Sequence, residues 1–415
     1  MDSWINLNED LLEEIVLRLG SFNDYLRLSL VCKVWQSILS KRLKNLPTTL
    51  PCLMLPYDKK DDTHCDFFSI FTGEGGKVYN LQVPEALNTL CIGSSKGWLV
   101  RLEDGPSIRL INPLTSIQFE LPPIYTFPNV LEYCPERTGE EYTIQMAYYE
   151  SYLNFPISLA KMKHKLIHKV VLSSSPITDN NCFAMAIYGD RFKLACCRLG
   201  DDRWKSIEGE WNPFEDVMHY DGKFYAVDYQ GMVIVLPDEE IEAKSAPKAE
   251  HFARLPSEYK FSLHKLYLVI SCDGELLIVD RDIEETQSKF YETVDFKIFK
   301  LNKNSETKSR WCEVETLGEQ VLFLGINESF SISSHHLVQC SRKGNCIYFT
   351  DDDYESQDHL RQNVAGSDLG VFYLNREKTR FQTLPLPLQG YNGRRKRIWP
   401  PPIWLMPNPI VTTNP

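Results

Sequence analysis

Along the first forty-five residues, apolar side chains recur every three or four positions, a spacing that places them on one face of a helix. The first series comprises Leu7, Leu11, Leu12, Ile15, Val16 and Leu19. Asn8 is suited to cap the start of this helix, and Gly20 to end it. A second helix is predicted after Asp24, with basic residues in its last turn. This part of the chain is therefore predicted to be a small unit of two or three helices.

From about residue 66 onward, apolar positions alternate with polar ones, which is the period of a β-strand. Three pairs of apolar runs flank two-residue turns at Gly189-Asp190, Asp221-Gly222 and Asp273-Gly274. Short turns of this composition predict β-hairpins. Two looser hairpins are predicted over residues 98–111 and 337–349.

A longer repeat runs through the same region. In each copy an aromatic residue is followed two or three positions later by an aliphatic one, often with proline next. The copies lie at residues 119–122, 204–207, 252–256, 311–314 and 381–385, with a weaker copy at 81–84. The aromatic residues of the five clear copies are 85, 48, 59 and 70 positions apart. A repeat of about 40–50 residues, with one unit unrecognised in the first interval, predicts a β-propeller of six or seven blades.

Composition narrows the class of protein. The chain has 415 residues, of which 43% are hydrophobic, and this excludes a wholly disordered or fibrous chain. Its 45 Lys and Arg against 56 Asp and Glu give a net charge of −11, which argues against general binding to nucleic acid or an anionic membrane. No apolar run approaches the roughly 20 residues needed to span a bilayer.

The N-terminal residues and the cysteines predict the cellular compartment. The first residues, Met1 to Trp4, lack the basic and apolar regions of a signal peptide and the Arg/Ser-rich character of a transit peptide. The twelve cysteines are therefore expected to be free thiols in a reducing compartment. We expect a soluble intracellular protein of the nucleus, the cytoplasm or both, with no nucleic-acid or membrane partner.

The N-terminal pattern resembles an F-box. The residues that carry the resemblance are Trp4, Leu7, Leu11, Leu12, Ile15, Leu19, Asp24, Leu28, Val31, Cys32 and Trp35. The most specific part is Val31-Cys32-Lys33-x-Trp35 at this distance after Leu11-Leu12-x-x-Ile15. One departure is Asn8, where F-boxes commonly have proline. The missing proline lowers the stability of the start of the first helix by about 0.4–1 kcal/mol.

The remainder resembles the propeller of the plant KIB/SKIP-type F-box proteins. The supporting stretches are residues 110–115 with 121–123, 216–228, 322–325, 344–351 and 402–404. The expected fold is mostly β, with a small helical F-box over residues 3–44, a linker over 45–65 and a single propeller over 66–410.

This resemblance implies the substrate-recognition subunit of an SCF (cullin–RING) ubiquitin ligase, which is not an enzyme itself. The F-box would dock on a Skp-type adaptor, and through it on cullin and the RING subunit, while the propeller binds a substrate protein. The implied adaptor-binding residues are Leu7, Leu11, Leu12, Ile15, Leu19, Val31, Cys32 and Trp35. Of these, Leu11, Ile15 and Trp35 are expected to be poorly covered within the chain. The alternative is a propeller-based small-ligand binder or enzyme with a vestigial F-box, built on carboxylates or histidines that converge on the central channel.

Candidate catalytic and metal-binding patterns are weak. Ser95 matches the G-x-S-x-G pattern of a hydrolase, but a strand is predicted after it where that site needs a helix. His335, His336, Cys340 and Cys346 lack standard zinc spacing. No catalytic residue, metal or cofactor is therefore predicted.

Two further polar features have plain interpretations. His219 precedes a predicted hairpin turn, where a hydrogen-bonded histidine is a better interpretation than a general base. Asp351-Asp352-Asp353 lacks a full calcium loop and is predicted to be a solvated acidic loop.

Two features lie near the end of the sequence. The run Arg394, Arg395, Lys396 and Arg397 is a candidate nuclear signal, and the alternative is a charged loop. Residues 398–410 contain two tryptophans, Trp399 and Trp404, and a run of prolines that holds the chain extended. We expect this segment to close the ring by packing against the first propeller segment, around Phe67–Tyr79.

Overall fold

The structure, a computed structural model, describes most of the propeller and part of the N-terminal unit. The described residues are 7–17, 28, 31–32, 34–35, 50–56, 64–71, 76–82, 89–148, 151–209, 211–243, 246–256, 264–285, 291–302, 311–340, 344–352, 368–374, 381–384, 386–387 and 400–408. Most of the predicted second helix, the candidate nuclear signal and Trp399 lie outside them.

The N-terminal unit begins with helix α1, Glu9–Leu17. The predicted cap is confirmed, because the Asp10 N–H donates to Asn8 Oδ1 at 3.3 Å. The Leu12 N–H donates to the Asn8 carbonyl at 3.0 Å and starts the helical hydrogen-bond ladder. Asn8 thus caps the start of helix α1 with its own side chain.

Strands dominate the rest of the described chain, which forms seven sheets. Blade 1 contains β1 (Cys52–Met54), β2 (His64–Ser69) and β3 (Lys77–Gln82), and blade 2 contains β4 (Leu90–Ser95), β5 (Trp98–Leu102), β6 (Ile108–Ile111) and β7 (Gln118–Leu121). A three-stranded side sheet follows, with β8 (Val130–Tyr133), β9 (Tyr142–Tyr148) and β10 (Ser151–Ile157), and then helix α2 (Leu159–Lys165). A 3-10 helix, Ile124–Thr126, precedes this side sheet.

The second half of the ring follows the same plan. Blade 3 contains β11 (Ile167–Leu172), β12 (Phe183–Tyr188), β13 (Lys193–Arg198) and β14 (Lys205–Ser206). Blade 4 contains β15 (Phe214–Tyr220), β16 (Lys223–Asp228), β17 (Met232–Pro237) and β18 (Glu250–Arg254), with helix α3 (Asp238–Ala243) before β18. Blade 5 contains β19 (His264–Ile270), β20 (Leu276–Glu285), β21 (Tyr291–Leu301) and β22 (Trp311–Val314). Blade 6 contains β23 (Gln320–Leu324), β24 (Phe330–Ser333), a 3-10 helix (Ser334–Cys340), β25 (Cys346–Phe349), β26 (Gly370–Tyr373) and β27 (Phe381–Gln382). The last described strand, β28 (Ile403–Leu405), returns to blade 1.

The six blades form one ring. Contacts between innermost strands connect β28 to β4, β4 to β11, β11 to β15, β15 to β19 and β19 to β24. Trp404 of blade 1 packs edge-on against Phe323 and Tyr348 of blade 6, with ring centroids 5.1 and 5.8 Å apart, and this contact completes the circle. The described strands therefore make a six-bladed propeller, within the predicted range of six or seven.

Each copy of the aromatic–aliphatic repeat supplies the outermost strand of a blade. The five clear copies fall on β7, β14, β18, β22 and β27, and the weak copy on β3. The prediction of a missed blade in the 85-residue first interval was wrong, because that interval holds the side sheet. Strands β9 and β10 alternate apolar and polar residues as blade strands do, so sequence periodicity does not distinguish the side sheet from a blade.

The Asp-Gly hairpins are confirmed with differences in loop length. Asp221 and Gly222, at φ of 50° and 69°, form the predicted two-residue turn with Tyr220 opposite Lys223. The turn after β12 is longer than predicted, because Tyr188 lies opposite Lys193.

The looser hairpin predicted over 337–349 was wrong. Residues 334–340 form a 3-10 helix, and β25 pairs with β23 in parallel and with β26 in antiparallel orientation. The cause is β24, which turns back along the inner side of β23 and leaves only its outer side for β25. The other looser hairpin, over 98–111, is formed by β5 and β6.

The ring is closed by β28, as the sequence predicts, but the pairing partner differs. Cys52, Leu53 and Met54 lie opposite Leu405, Trp404 and Ile403, so β28 pairs with β1, which in turn pairs with β2. The linker prediction for 45–65 was wrong here, since it contains β1. A four-residue apolar run between Pro51 and Pro56 carries too little alternation to identify a strand.

The core lies between the blades. Cys196 and Cys197 are adjacent on β13, and the alternation of a strand sends them into different inter-blade cores. Both thiols are fully buried. None of the described helices is long and apolar enough to cross a membrane.

Candidate functional site

The helical face expected to bind the adaptor exposes three aliphatic side chains. Leu11, Val31 and Val34 are 55%, 57% and 52% exposed. Leu7 and Ile15 are partly buried. Val34 was not among the predicted residues, although it lies next to Trp35 in the same apolar series. Aliphatic side chains this exposed on a short helical unit favour contact with another protein.

Other predicted residues of this face are covered. Leu12 is fully buried and Trp35 is only 5% exposed, so the expectation that Trp35 is poorly covered was wrong. Cys32 is partly buried and accepts a hydrogen bond from the Trp35 N–H at 3.4 Å, which helps to hold this tryptophan in place. Leu19 lies outside the described residues. Leu12 and Trp35 therefore contribute to the packing of the unit, and Leu11 to its surface.

A second candidate site is the centre of the ring, which the segment 325–331 of blade 6 crosses. This segment forms hydrogen bonds with the innermost strands of blades 2, 3, 4 and 5. These bonds run from Glu328 N–H to Ser94 O at 2.7 Å, from Lys169 Nζ to Gly325 O at 3.4 Å, from His219 N–H to Glu328 Oε1 at 3.5 Å and from Ser331 Oγ to Ile270 O at 2.8 Å. The segment joins the blades where other propellers have an axial channel.

Glu328 is the central carboxylate of this segment. Its Oε2 accepts from Ser95 Oγ at 2.6 Å, and its Oε1 accepts from Lys96 Nζ at 2.8 Å. The Glu328 side chain is only 10% exposed and Lys96 is 29% exposed. A charged pair at this depth keeps most of its attraction and fixes blade 6 against blade 2.

A buried ion pair connects blades 3 and 4. Lys169 Nζ lies 2.5 Å from Asp216 Oδ1, and the side chains are 6% and 1% exposed. The other Asp216 oxygen accepts from the Leu268 N–H of blade 5 at 2.8 Å. Burial raises the pKa of Asp216, and the charge of Lys169 and these hydrogen bonds oppose that shift.

Arg281 forms a third buried cluster, between blades 5 and 6. Its side chain is 2% exposed and donates to Asp368 Oδ2 at 2.8 Å and to Tyr267 Oη at 3.0 Å. Asp352 accepts from Tyr267 Oη at 2.9 Å and lies 3.4 Å from Arg281. Asp351 is 7% exposed, so the prediction of a solvated acidic loop was wrong for Asp351 and Asp352. Asp353 lies outside the described residues.

These groups are paired with one another. Ser95 is 3% exposed and is followed by a two-residue turn and strand β5, as the sequence predicts, not by the helix of a hydrolase site. His219 Nε2 lies 3.0 Å from Asp238, and its ring packs edge-on against Phe224, which confirms the hydrogen-bonded interpretation. Charged residues do converge at the centre, and Glu328, Lys169 and Asp216 are each paired within the chain.

The histidine–cysteine group shows no metal geometry in the described chain. His335 and His336 lie exposed on a 3-10 helix, and Cys346 is buried in β25. No three His, Cys, Asp or Glu side chains of the described residues gather where they could hold a metal ion. The Cys340 side chain lies outside the described part.

Sequence reasoning missed these buried charges, although a local signal marked Lys169. It interrupts strand β11, in which Ile167, Val170, Val171 and Leu172 are buried and apolar. A charge in such a strand needs a partner across the core, because an unpaired buried charge is strongly destabilising.

Comparison with known proteins extends over nearly the whole chain. The family of the KIB1-4 beta-propeller matches residues 67–373, and the F-box domain matches residues 4–46. The Arabidopsis thaliana F-box protein SKIP23 is 27% identical, over 98% of this chain and 96% of its own. F-box protein At2g17036 of the same plant is also 27% identical, over 98% of this chain and 95% of its own. Among solved structures, YCF48 bound to D1 peptide matches with a TM-score of 0.30 and 11% identity, over 66% of this chain and 69% of that one.

Proposed function

Because the chain belongs to the KIB1-4 beta-propeller family and begins with an F-box domain, we propose that it is the substrate-recognition subunit of an SCF ubiquitin ligase. The F-box binds a Skp-type adaptor, which connects it to cullin and the RING subunit. The propeller holds a substrate protein. In this function the protein is not a catalyst, because the ubiquitin transfer takes place on other subunits.

The observation that carries the proposal is the exposed side chain of Leu11 on helix α1, within the F-box match. Fully burying a leucine contributes about 1.5–3 kcal/mol. Several such side chains together offset the roughly 4–15 kcal/mol lost on association. The unit therefore has a physical reason to bind a partner through this face.

The central charges favour this function over a small-ligand binder or enzyme with a vestigial F-box. Glu328 and Asp216 are paired with residues of other blades, and segment 325–331 occupies the centre of the ring. A ligand at this position would have to break those ion pairs, at a cost of several kcal/mol each. The ring thus acts as a rigid support for its outer surfaces.

The double substitution Leu11→Ala, Ile15→Ala tests the proposal. Co-expression with a Skp-type adaptor is expected to raise the soluble yield of the natural chain and to give a stable complex. The double variant should lose several kcal/mol of affinity, at roughly 2–5 kcal/mol for each side chain buried in the interface. Calorimetric titration of the purified chain with adaptor measures the change.

A matched control is Val78→Ala on β3 of blade 1, where Val78 is 39% exposed and far from the F-box in sequence. This variant should bind the adaptor like the natural chain, and all variants should keep the propeller's melting temperature. If the double variant still binds with natural affinity, this face does not dock the adaptor.

We propose the nucleus, the cytoplasm or both as its location, with residues 394–397 as a nuclear signal. Replacement of all four residues by alanine should shift a fluorescent fusion of the full chain toward the cytoplasm. Microscopy of the fusion gives the nuclear-to-cytoplasmic ratio. An unchanged ratio would remove this run as the signal.

A further inference from the structure

The side sheet ends in a strand that has a partner on one side only. In the described chain β10 pairs with β9 and lies at the edge of the sheet. Six of its seven residues are exposed. An exposed strand edge offers unpaired backbone groups to another extended chain.

The register shows which backbone groups point outward. The Gln145 N–H donates to the Asn129 carbonyl, and the Ala147 N–H donates to Asp190 Oδ2, both at 2.8 Å. The backbone N–H groups of these two β9 residues therefore point away from β10. In an antiparallel pair the residues opposite them also face away. Their partners are Asn154 and Tyr152, which therefore direct their N–H and C=O groups to solvent.

The two faces of this edge differ in chemistry. Leu153 and Phe155 project from one face and are 42% and 38% exposed, with Tyr148 nearby at 51%. Tyr152 projects from the other face and lies under Lys193, whose Nζ is 5.4 Å from the ring centroid. An added strand would place alternate side chains on the apolar face and beside the lysine.

The charge on the second face is positive. A cavity of about 180 Å3 lies between the side sheet and the turn of blade 3, and its lining includes Tyr152, Asp190, Arg191 and Lys193. The Asp190 carboxylate already accepts from the Ala147 N–H. Arg191 and Lys193 form no ion pair with any described residue. In a chain of net charge −11, this local pair of cations favours an anionic side chain.

From this arrangement we infer that the β10 edge binds an extended acidic segment of the substrate protein as a fourth strand of the side sheet. Main-chain hydrogen bonds to Tyr152 and Asn154 hold the segment. Its apolar side chains pack on Leu153 and Phe155, and its alternate acidic side chains pair with Arg191 and Lys193. The inference rests on the proposed function, since it names the surface on which the substrate is held.

Peptide binding to the full-length chain tests this surface. The probes are two fluorescein-labelled eight-residue peptides, one in which valine alternates with glutamate and one in which it alternates with lysine. The glutamate peptide should bind at least tenfold more tightly by fluorescence anisotropy. Equal binding of the two peptides, or no binding of either, overturns the inference.

Two variants separate the two kinds of contact. Asn154→Pro removes an outward N–H without removing a hydrogen bond to β9, and should weaken glutamate-peptide binding at least tenfold. Arg191→Glu with Lys193→Glu should abolish the preference for glutamate, whereas the control Arg203→Glu, at a side chain 75% exposed, should not. If the variant with Arg191→Glu and Lys193→Glu still prefers the glutamate peptide, the inference is wrong. This outcome decides the matter even if the Asn154→Pro variant is unstable.

Adaptor titration of the same preparations keeps the two proposals apart. Natural adaptor binding with no glutamate preference overturns the β10 surface and leaves the proposed function standing. A glutamate preference without adaptor binding overturns the proposed function and leaves the β10 surface standing. If the natural chain forms dimers and the Asn154→Pro variant is monomeric, a second copy occupies this edge. That result also overturns the inference.

Discussion

Deletion of residues 398–415 is expected to make the protein aggregate. The deletion removes β28, which pairs with β1 through Leu53 and Met54 and supplies the fully buried Trp404. Without it blade 1 loses its innermost strand, and the ring opens between blades 1 and 6. The free edge of β1 then offers its hydrogen bonds to other chains. Size-exclusion chromatography with light scattering measures the outcome.

The single substitution Trp404→Ala tests the same contact without removing backbone. Truncating a buried tryptophan costs about 3–5 kcal/mol, since the ring packs against Phe323 and Tyr348 and leaves a cavity. The thermal midpoint should fall by several degrees. Deletion of residues 409–415 is the control, because it keeps β28 and Asn408, whose carbonyl accepts from Asn112 Nδ2 at 2.8 Å. A 398–415 deletion that stays monomeric and melts like the full chain would show that closure does not depend on β28.

The second large effect is expected at Arg281. Arg281→Met keeps most of the side-chain volume and removes the charge that Asp352 and Asp368 face between blades 5 and 6. Breaking a buried pair by removing one partner costs about 3–5 kcal/mol, because the remaining carboxylates stay desolvated and unpaired. The midpoint of urea unfolding should fall accordingly.

Arg203→Met is the matched control for this substitution. Arg203 is 75% exposed, and its described ion pair is with the neighbouring Asp202 at 3.9 Å. An exposed pair contributes about 0–1 kcal/mol, so this variant should unfold at nearly the natural midpoint. If Arg281→Met unfolds at the natural midpoint as well, the Arg281 cluster does not hold blades 5 and 6 together.

Several features were predictable from the sequence because their causes lie within a few residues. Asn8 caps helix α1 with its own side chain, and Asp221-Gly222 adopts the positive φ angles that a two-residue turn requires. The aromatic–aliphatic repeat marked the outermost strand of every blade, since its spacing spans only four or five residues. The resemblance of residues 4–46 to an F-box also needed only local spacing.

For the candidate site, prediction succeeded for exposure at Leu11 and failed at Trp35. Leu11 lies in the first apolar series and Trp35 in the predicted second helix, and an apolar series defines a helix face without defining what covers it. The central ion pairs were missed for a related reason. Lys169 and Asp216 are 47 positions apart, and only the closed ring brings their blades together.

By itself the sequence determined the helical start, the strand period, the hairpin turns and the family. Tertiary structure decided the number of blades, the side sheet, the crossing of the centre by residues 325–331 and the use of β1 to close the ring. Turn chemistry and periodicity act over about ten residues, whereas Leu53 and Trp404 pair across almost the whole chain. Such a pairing is favourable only once the ring has brought both strands to the same edge, and no local pattern contains that information.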